Sequence, residues 1–336
     1  MSSIRIQNDA HWHSLRAQFV GASESPALFG LLPWLTPWQL HMTKAGKLAA
    51  PDLDDVKHIK QGKYFETPIA AWAAEKFGIT LNKARSYLVA DDCPGMGASL
   101  DYIQIGTGSR IPTEIKWVLR SGDAWEYDGD EIVSAPDYYL VQIQHQLACA
   151  DAAQGQLIAF IDGDVRRAVY DRRPAVIAAI KDRIREFWAD VQADREPPID
   201  FKADAEAVMR YAAAMPVRSV PWTPEIAGLA KRAHWMAGFA KRAGEAADAA
   251  KAEMAHMMLE AAKAAGANDL DGKVVTEGDG FRVSNYLVDA YPGKEVTPEM
   301  VGSRLYARDA YRVCKVSRSK PKKERKSKKE GPSGQA

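Results

Sequence analysis

Residues 97–118 constrain the fold of this chain more than any other stretch. Gly97-Ala98-Ser99-Leu100-Asp101-Tyr102-Ile103 and Ile111-Pro112-Thr113-Glu114-Ile115-Lys116-Trp117-Val118 alternate apolar or β-branched residues with polar ones. The glycine-rich Gly106-Thr107-Gly108-Ser109 separates them, so the segment reads as strand, turn, strand. Alternate side chains of a strand share a face, which sends Glu114 and Lys116 one way and Ile115 into a core. One hairpin earlier, Asp101 can face them. Two carboxylates and a lysine around one cleft suit a hard divalent cation bound through oxygen, with an amine beside an attacking water. A Glu-x-Lys on a strand is by itself usually a solvated face, so the chemistry has to be carried by its neighbours.

Composition sets the frame for that cleft. With 336 residues, 46% of them hydrophobic, the chain can bury a substantial core. It has no apolar run of about 18 residues, and Met1-Ser2-Ser3-Ile4-Arg5 is no signal segment, so a cytoplasmic protein without membrane contact is expected. Cys93, Cys149 and Cys314 form no CxxC pair and have no histidine at ligand spacing, which argues against a disulfide framework, a zinc site or an Fe–S cluster. The net charge of +1 is uneven: residues 317–336 hold eight Lys/Arg against two Glu, leaving −5 on the rest. Ser319 to Lys329 has nothing apolar to bury and is expected to be disordered, serving either to attract phosphates in a salt-dependent way or to solubilise the chain.

Along the chain, Ala10 to Phe19 reads as a helix with Trp12, Leu15 and Phe19 near one side. Ser23 is a credible N-cap for a short helix at Ala27-Leu28-Phe29, and Thr36 with Pro37 caps a second helix that stops at Gly46. Asp54 to Phe77 is helical, as two helices or one kinked at Pro68 near Glu66, and Gly78 closes it. Strands at Ser86–Ala90, Gly97–Ile103 and Ile111–Val118 are expected to form one catalytic sheet. Pro136 opens a helix to Ala152, residues 157–161 and 166–170 pair around Asp162-Gly163-Asp164, and Arg172 to Ala193 is helical. Glu196-Pro197-Pro198 is the best linker, which divides the chain into a core at 1–195, a helical and hairpin extension at 196–316 and the tail at 317–336. In the extension, Pro224 to Ala265 is a long alanine-rich amphipathic helix bearing Trp235, Phe239, Met254 and Met258, expected to pack on a partner, and a hairpin follows around Glu277-Gly278-Asp279-Gly280.

The order helices, Glu66, Asp101, Glu114-Ile115-Lys116, then a helix bearing Tyr139 and Gln142, resembles the lambda-type exonucleases over residues 10–195, in particular the YqaJ-like viral recombinase family. The motifs that carry the resemblance are Arg16 before Gly21-Ala22-Ser23-Glu24, Gly62-Lys63-Tyr64-Phe65-Glu66, the Asp, the Glu-x-Lys, and Tyr139-Leu140-Val141-Gln142-Ile143-Gln144. Two departures stand out: Tyr102 follows the aspartate where many relatives have Gly, and Trp117 follows the lysine where many have a small residue or proline.

The resemblance implies an α/β, restriction-endonuclease-like core, a central mixed sheet flanked by helices, and Mg²⁺ or Mn²⁺ dependence. It also implies 5′-to-3′ digestion of one strand of linear double-stranded DNA, with the 3′ overhang passed to a single-strand annealing protein. A ring-shaped homotrimer, encoded by a phage or prophage in a bacterial host, goes with that activity. Asp101 and Glu114, with the carbonyl of Ile115, would hold the metal, and Glu66 would complete a second site. Lys116 would orient or help deprotonate the water, while Tyr139 and Gln142, at i and i+3 on one helix, reach the water or the scissile phosphate. Gln146 extends that face by a turn. Arg16 and Ser23 would clamp a terminal 5′-phosphate, the alternatives being a surface salt bridge and an ordinary N-cap. Trp34 and Trp38 are either strand-separating wedges or core or trimer-interface residues, and His41, His58 and His145 have no assigned role. The competing functions are a single-strand-specific exonuclease or endonuclease of the same superfamily, and a non-catalytic DNA-binding recombination accessory protein.

Overall fold

The computed structural model describes residues 2–50, 56–106, 110–119, 121–215, 221–266, 274–278, 281–288 and 311–318, the stretches 286–288 and 311–318 in backbone only. The basic tail beyond residue 318 lies outside the described residues. The chain forms two compact units, residues 1–218 and 219–336. No described helix is long and apolar enough to cross a membrane.

The first unit begins with strand β1 (Ser2–Arg5) and helix α1 (Asp9–Gln18), whose N-cap Asn8 accepts a hydrogen bond from the His11 amide at 2.8 Å. A 3₁₀ turn (Ser25–Phe29) ends at Gly30 in the left-handed conformation, φ 68°. Helix α2 (Pro37–Lys44) starts as its sequence dictates: the Thr36 hydroxyl accepts from the Gln39 amide at 3.1 Å and Pro37 occupies the first turn. Helix α3 (Lys57–Phe77) runs through Pro68 as one element and stops at Gly78, φ 62°. Then come β2 (Thr80–Lys83), β3 (Ser86–Val89), β4 (Gly97–Ser99), β5 (Tyr102–Ile105), β6 (Arg110–Val118), β7 (Glu126–Asp128) and β8 (Glu131–Ser134). Helix α4 (Asp137–Ala150) leads into the hairpin β9 (Gln154–Ile161) and β10 (Asp164–Asp171), and α5 (Pro174–Gln192) and α6 (Ala205–Ala213) complete the unit. Asp162 and Gly163 both have positive φ, 49° and 87°, the backbone that a two-residue turn between right-twisted strands requires.

The central sheet is mixed and has seven strands in the order β2-β5-β6-β9-β10-β8-β7, flanked by helices on both faces as expected for an α/β core. β6 runs parallel to β9 with Glu114 opposite Leu157, and antiparallel to β5 with Thr113 opposite Tyr102. On one face Ile69, Ala70 and Ala73 of α3 pack on Tyr102, Ile115, Ile158 and Val165. On the other, Ile143 and Leu147 of α4 and Ile177, Ile180 and Ile184 of α5 cover Leu157, Ala159 and Ile161. The α5 residues recur at helical spacing, and each such side chain removed from water contributes about 1.5–3 kcal/mol.

Three sequence expectations change here. The strands expected to form one catalytic sheet fall into two: β3 and β4 join β1 in a separate three-stranded sheet, while β5 and β6 belong to the large one. The break falls at Asp101, whose carboxylate takes the Ile115 amide at 2.9 Å and whose carbonyl takes the Ala84 amide at 3.1 Å, so the chain changes sheets there. The first unit also continues beyond residue 195. Trp38, Met42 and Leu48 bury Ala207 of α6, and Lys47 bonds Glu196 at 2.7 Å, holding the proline-containing connection on the unit. Finally, Ser23 does not cap a helix: Glu24 precedes the 3₁₀ turn, and no side chain makes the cap bond.

The second unit consists of the 41-residue helix α7 (Pro224–Ala264), capped by Thr223, and an antiparallel sheet of β11 (Val274–Gly278), β12 (Phe281–Val288) and β13 (Tyr311–Arg318). β11 and β12 form the expected hairpin, with Val274 opposite Asn285. β13, not foreseen from the sequence, adds to the outer edge of β12.

Candidate active site

The site is built where the two sheets of the first unit part. Asp101 lies in the two-residue break between β4 and β5, and its carboxylate accepts the Ile115 amide, tying it to the neighbouring strand β6. Strand alternation puts Ile115 into the α3 side of the core and Glu114 and Lys116 on the α4 side. There Glu114, only 3% exposed, is held from two directions: the Lys116 ammonium pairs with Oε1, and the Gln146 amide of α4 donates to Oε2 at 2.6 Å. Lys116 also lies 5.8 Å from the centre of the Tyr139 ring.

Electrostatics follow from that packing. Loss of water at the base of the cleft and the negative charge of Glu114 together hold the Asp101 carboxyl well above the ordinary carboxylate range, against the pull of Lys116. Burial opposes the charge on Lys116, but Glu114 and Asp101 outweigh it and keep the ammonium protonated. Burial likewise pushes the Tyr139 phenol upward. Ionised together, the two carboxylates outweigh the one lysine, and a hard divalent cation bound through their oxygens supplies the positive charge that makes both anions favourable in a poorly hydrated cleft.

The cleft is lined by Asp101, Glu114, Lys116 and Gln142 and, on its other wall, by Arg16, Gly21 and Ser23. Arg16 donates to Glu24 at 2.9 Å and lies over the Trp12 ring at 4.8 Å. Glu24 is the hub of this wall: its Oε2 accepts from the nearly buried Lys44 at 2.8 Å and from the Gly21 amide at 2.9 Å. The two cations outweigh burial and hold the Glu24 carboxyl below its ordinary range. Ser23 is exposed in the turn beside it.

Most of the residues singled out from the sequence therefore meet in one cleft. Tyr139 stands behind the lining, with its ring beside Lys116, and Glu66 stands apart: its carboxylate is paired with Lys83 and, among the described residues, no three His, Cys, Asp or Glu side chains converge at ligand distance. Gln144 faces elsewhere: it donates to the Asp171 carbonyl at 2.8 Å and accepts from the Arg173 amide at 2.7 Å, fastening α4 to the end of β10. Trp38 is 2% exposed and belongs to the core, whereas Trp34 is 63% exposed, edge-on to Tyr138. Sequence reasoning gave Gln146 no partner and missed Tyr87, whose buried hydroxyl lines the cleft. For Gln146 the signal was present, as it continues the Tyr139/Gln142 face. For Tyr87 there was none, because its place depends on β3 pairing with β4 and on Gly97, where a Cβ would stand 2.4 Å from the ring.

No curated protein is detectably similar to this chain. The solved structures it resembles include an alkaline exonuclease from Laribacter hongkongensis, at 16% identity over 61% of this chain and 98% of that one, with a TM-score of 0.42. The same enzyme in complex with dAMP matches at 15% identity over 60% and 98% of the chains, TM-score 0.43. A phage-related exonuclease from Haemophilus somnus matches at 12% identity over 56% and 84%, TM-score 0.34. Residues 11–153, a span holding every residue that lines the cleft, match the family model of the YqaJ-like viral recombinase domain.

Proposed function

We propose that this chain is a metal-dependent exonuclease that digests linear double-stranded DNA from 5′ ends, leaving 3′ single-stranded overhangs for recombination by single-strand annealing. The observation that carries the reading is the meeting of Asp101, Glu114 and Lys116 in one cleft with Arg16 on its opposite wall. Asp101 and Glu114, with the Ile115 carbonyl, would hold Mg²⁺ or Mn²⁺, and Glu66 is the candidate carboxylate for a second ion. Bound there, the ion polarises the scissile phosphate and lowers the pKa of water.

The chain's own residues do the rest. Lys116, kept protonated by its acidic neighbours, places positive charge where negative charge builds on phosphorus. Gln142, which lines the cleft, orients the attacking water, whose oxygen bonds to phosphorus as the bond to the 3′ oxygen breaks, and Tyr139, with its ring centre 5.8 Å from the Lys116 ammonium, helps position that lysine. Arg16 spends part of its guanidinium on Glu24, and its remaining donors, with the exposed Ser23 hydroxyl, suit a terminal 5′-phosphate. Glu24 and Lys44 fix that guanidinium in place, which supports a dedicated end-binding wall and hence a fixed direction of digestion.

Nucleotide release from 5′-phosphorylated linear duplex, 5′-hydroxyl duplex, single strands and closed circles, each with Mg²⁺, Ca²⁺ or EDTA, tests the reading. Release from the 5′-phosphorylated duplex in Mg²⁺ alone is expected. Cutting of closed circles would replace it with an endonuclease, preference for single strands with a single-strand exonuclease, and no hydrolysis under any condition with a DNA-binding accessory protein.

A further inference from the structure

The second unit contains an apolar surface that, among the described residues, nothing within that unit covers. From Ile226 to Ala264, α7 places an apolar residue at every position reached by alternating steps of three and four, twelve positions without a break, which is the seam of a two-stranded coiled coil. Only Met258 of the helix is buried. Met254, Ala255, Leu259 and Ala262 are half-buried around it, so the β-sheet occupies the far end, and Asn285 reaches the Ala255 carbonyl at 3.5 Å. The seam from residue 226 to 250 faces water, with Leu229 57% and Met236 52% exposed. A helix about 60 Å long with such a stripe is short of a partner rather than complete.

We propose that this seam binds a second copy of the chain, with the two α7 helices antiparallel. Charge on the helix favours that direction. Residues 224–242 carry Lys231, Arg232, Lys241 and Arg242 against Glu225 alone. Residues 243–264 carry Glu245, Asp248, Glu253 and Glu260 against Lys251 and Lys263. Antiparallel pairing sets the basic half of each helix beside the acidic half of the other, whereas parallel pairing sets like beside like.

Side-chain size points to the same register. With the two-fold axis at residue 238, Ile226 lies opposite Ala250, Leu229 opposite Ala247, Met236 opposite Ala240 and Ala233 opposite Ala243. Every large side chain then meets an alanine, so the backbones approach closely without voids. A parallel pair would put Leu229 against Leu229 and leave the alanine-only layers at 240–250 underpacked. The pairing is independent of the nuclease reading and would join two copies of whatever assembly the first unit forms.

The test uses full-length chains. Leu229→Cys and Ala247→Cys proteins are mixed under mild oxidation, and disulfide-linked peptides are identified by mass spectrometry, with the parent as control for its native cysteines. A 229–247 link between chains, with no 229–229 or 247–247 link, is expected. In parallel, Ala240→Asp with Ala243→Asp is expected to halve the mass read by light scattering, while Ala252→Asp, on the opposite face of the helix, leaves it at the parent value. Self-links at 229 would overturn the antiparallel arrangement. A parent mass unchanged by the seam substitutions would overturn the pairing altogether and leave the stripe to a different protein.

Discussion

Gln146 offers the sharpest way to ask whether α4 positions the acidic centre. Its amide donates to Glu114 Oε2 at 2.6 Å from a fully buried side chain. A hydrogen bond to a charged group contributes about 1.5–3 kcal/mol, and if that energy is realised in the transition state its loss slows hydrolysis by roughly 10- to 150-fold. The cost to folding is smaller. Gln146→Leu keeps the volume and also removes the Gln146 carbonyl oxygen, which is buried without a partner, so the net change in stability is expected within about 1 kcal/mol, or ~2–4 °C in melting temperature. The assay is the initial rate of nucleotide release from linear duplex as a function of Mg²⁺, with melting measured alongside. The variant is expected to need about 10- to 100-fold more Mg²⁺ for half-maximal rate, because Glu114 loses the partner that orients it. A folded Gln146→Leu protein with the parent's rate and Mg²⁺ requirement would refute a positioning role.

Three further outcomes follow from the same geometry. Lys116→Ala should abolish hydrolysis while leaving duplex binding, read by gel shift in Ca²⁺, largely intact; normal turnover would remove Lys116 from the chemistry. Glu24→Ala strands Lys44, whose side chain is 3% exposed, as an unpaired charge. The loss should be about 3–5 kcal/mol, or roughly 10 °C of melting temperature, and melting within 2–3 °C of the parent would show that the cluster is not structural. His145 is fully buried, bonded through Nε2 to the Gly97 carbonyl at 2.9 Å, and burial lowers its pKa from 6.5 to about 4. Because the folded pKa is depressed, protons bind the unfolded chain better. Stability from this group is complete above pH 6.5 and falls by about 1.4 kcal/mol per pH unit as pH drops toward 4. The free-energy difference between the parent and His145→Leu, from urea unfolding at pH 7 and pH 4.5, should shift by about 2–3 kcal/mol against the parent, and a pH-independent difference would contradict the assignment.

What the sequence revealed was local. Strand alternation sends Ile115 inward and leaves Glu114 and Lys116 together, and the i, i+3 spacing of Tyr139 and Gln142 marks the face of α4 that meets them, because both patterns depend only on backbone geometry. The Thr36-Pro37 start of α2 and the Asp162-Gly163 turn were legible for the same reason. What escaped was set by contacts distant in sequence. The division of residues 86–118 between two sheets depends on β1 pairing with β3, which no pattern in either strand announces. The role of Glu24 depends on Lys44 arriving from α2, and without that contact Ser23 looked like the capping residue of its turn. Glu66 reads as one more carboxylate in a motif, yet β2 supplies Lys83 to neutralise it.

The central claim is that the Asp101–Glu114–Lys116 cleft is a metal-dependent cutting centre. Asp101→Asn tests it most directly, because replacing a carboxyl that burial and Glu114 both disfavour as an anion removes a buried repulsion and keeps an oxygen for the Ile115 amide. The variant should therefore fold at least as well as the parent, so a lost rate cannot be put down to unfolding. Nucleotide release from 5′-phosphorylated linear duplex in Mg²⁺ is predicted to fall to the level seen in EDTA. Release at the parent's rate by the folded Asp101→Asn protein would contradict the account.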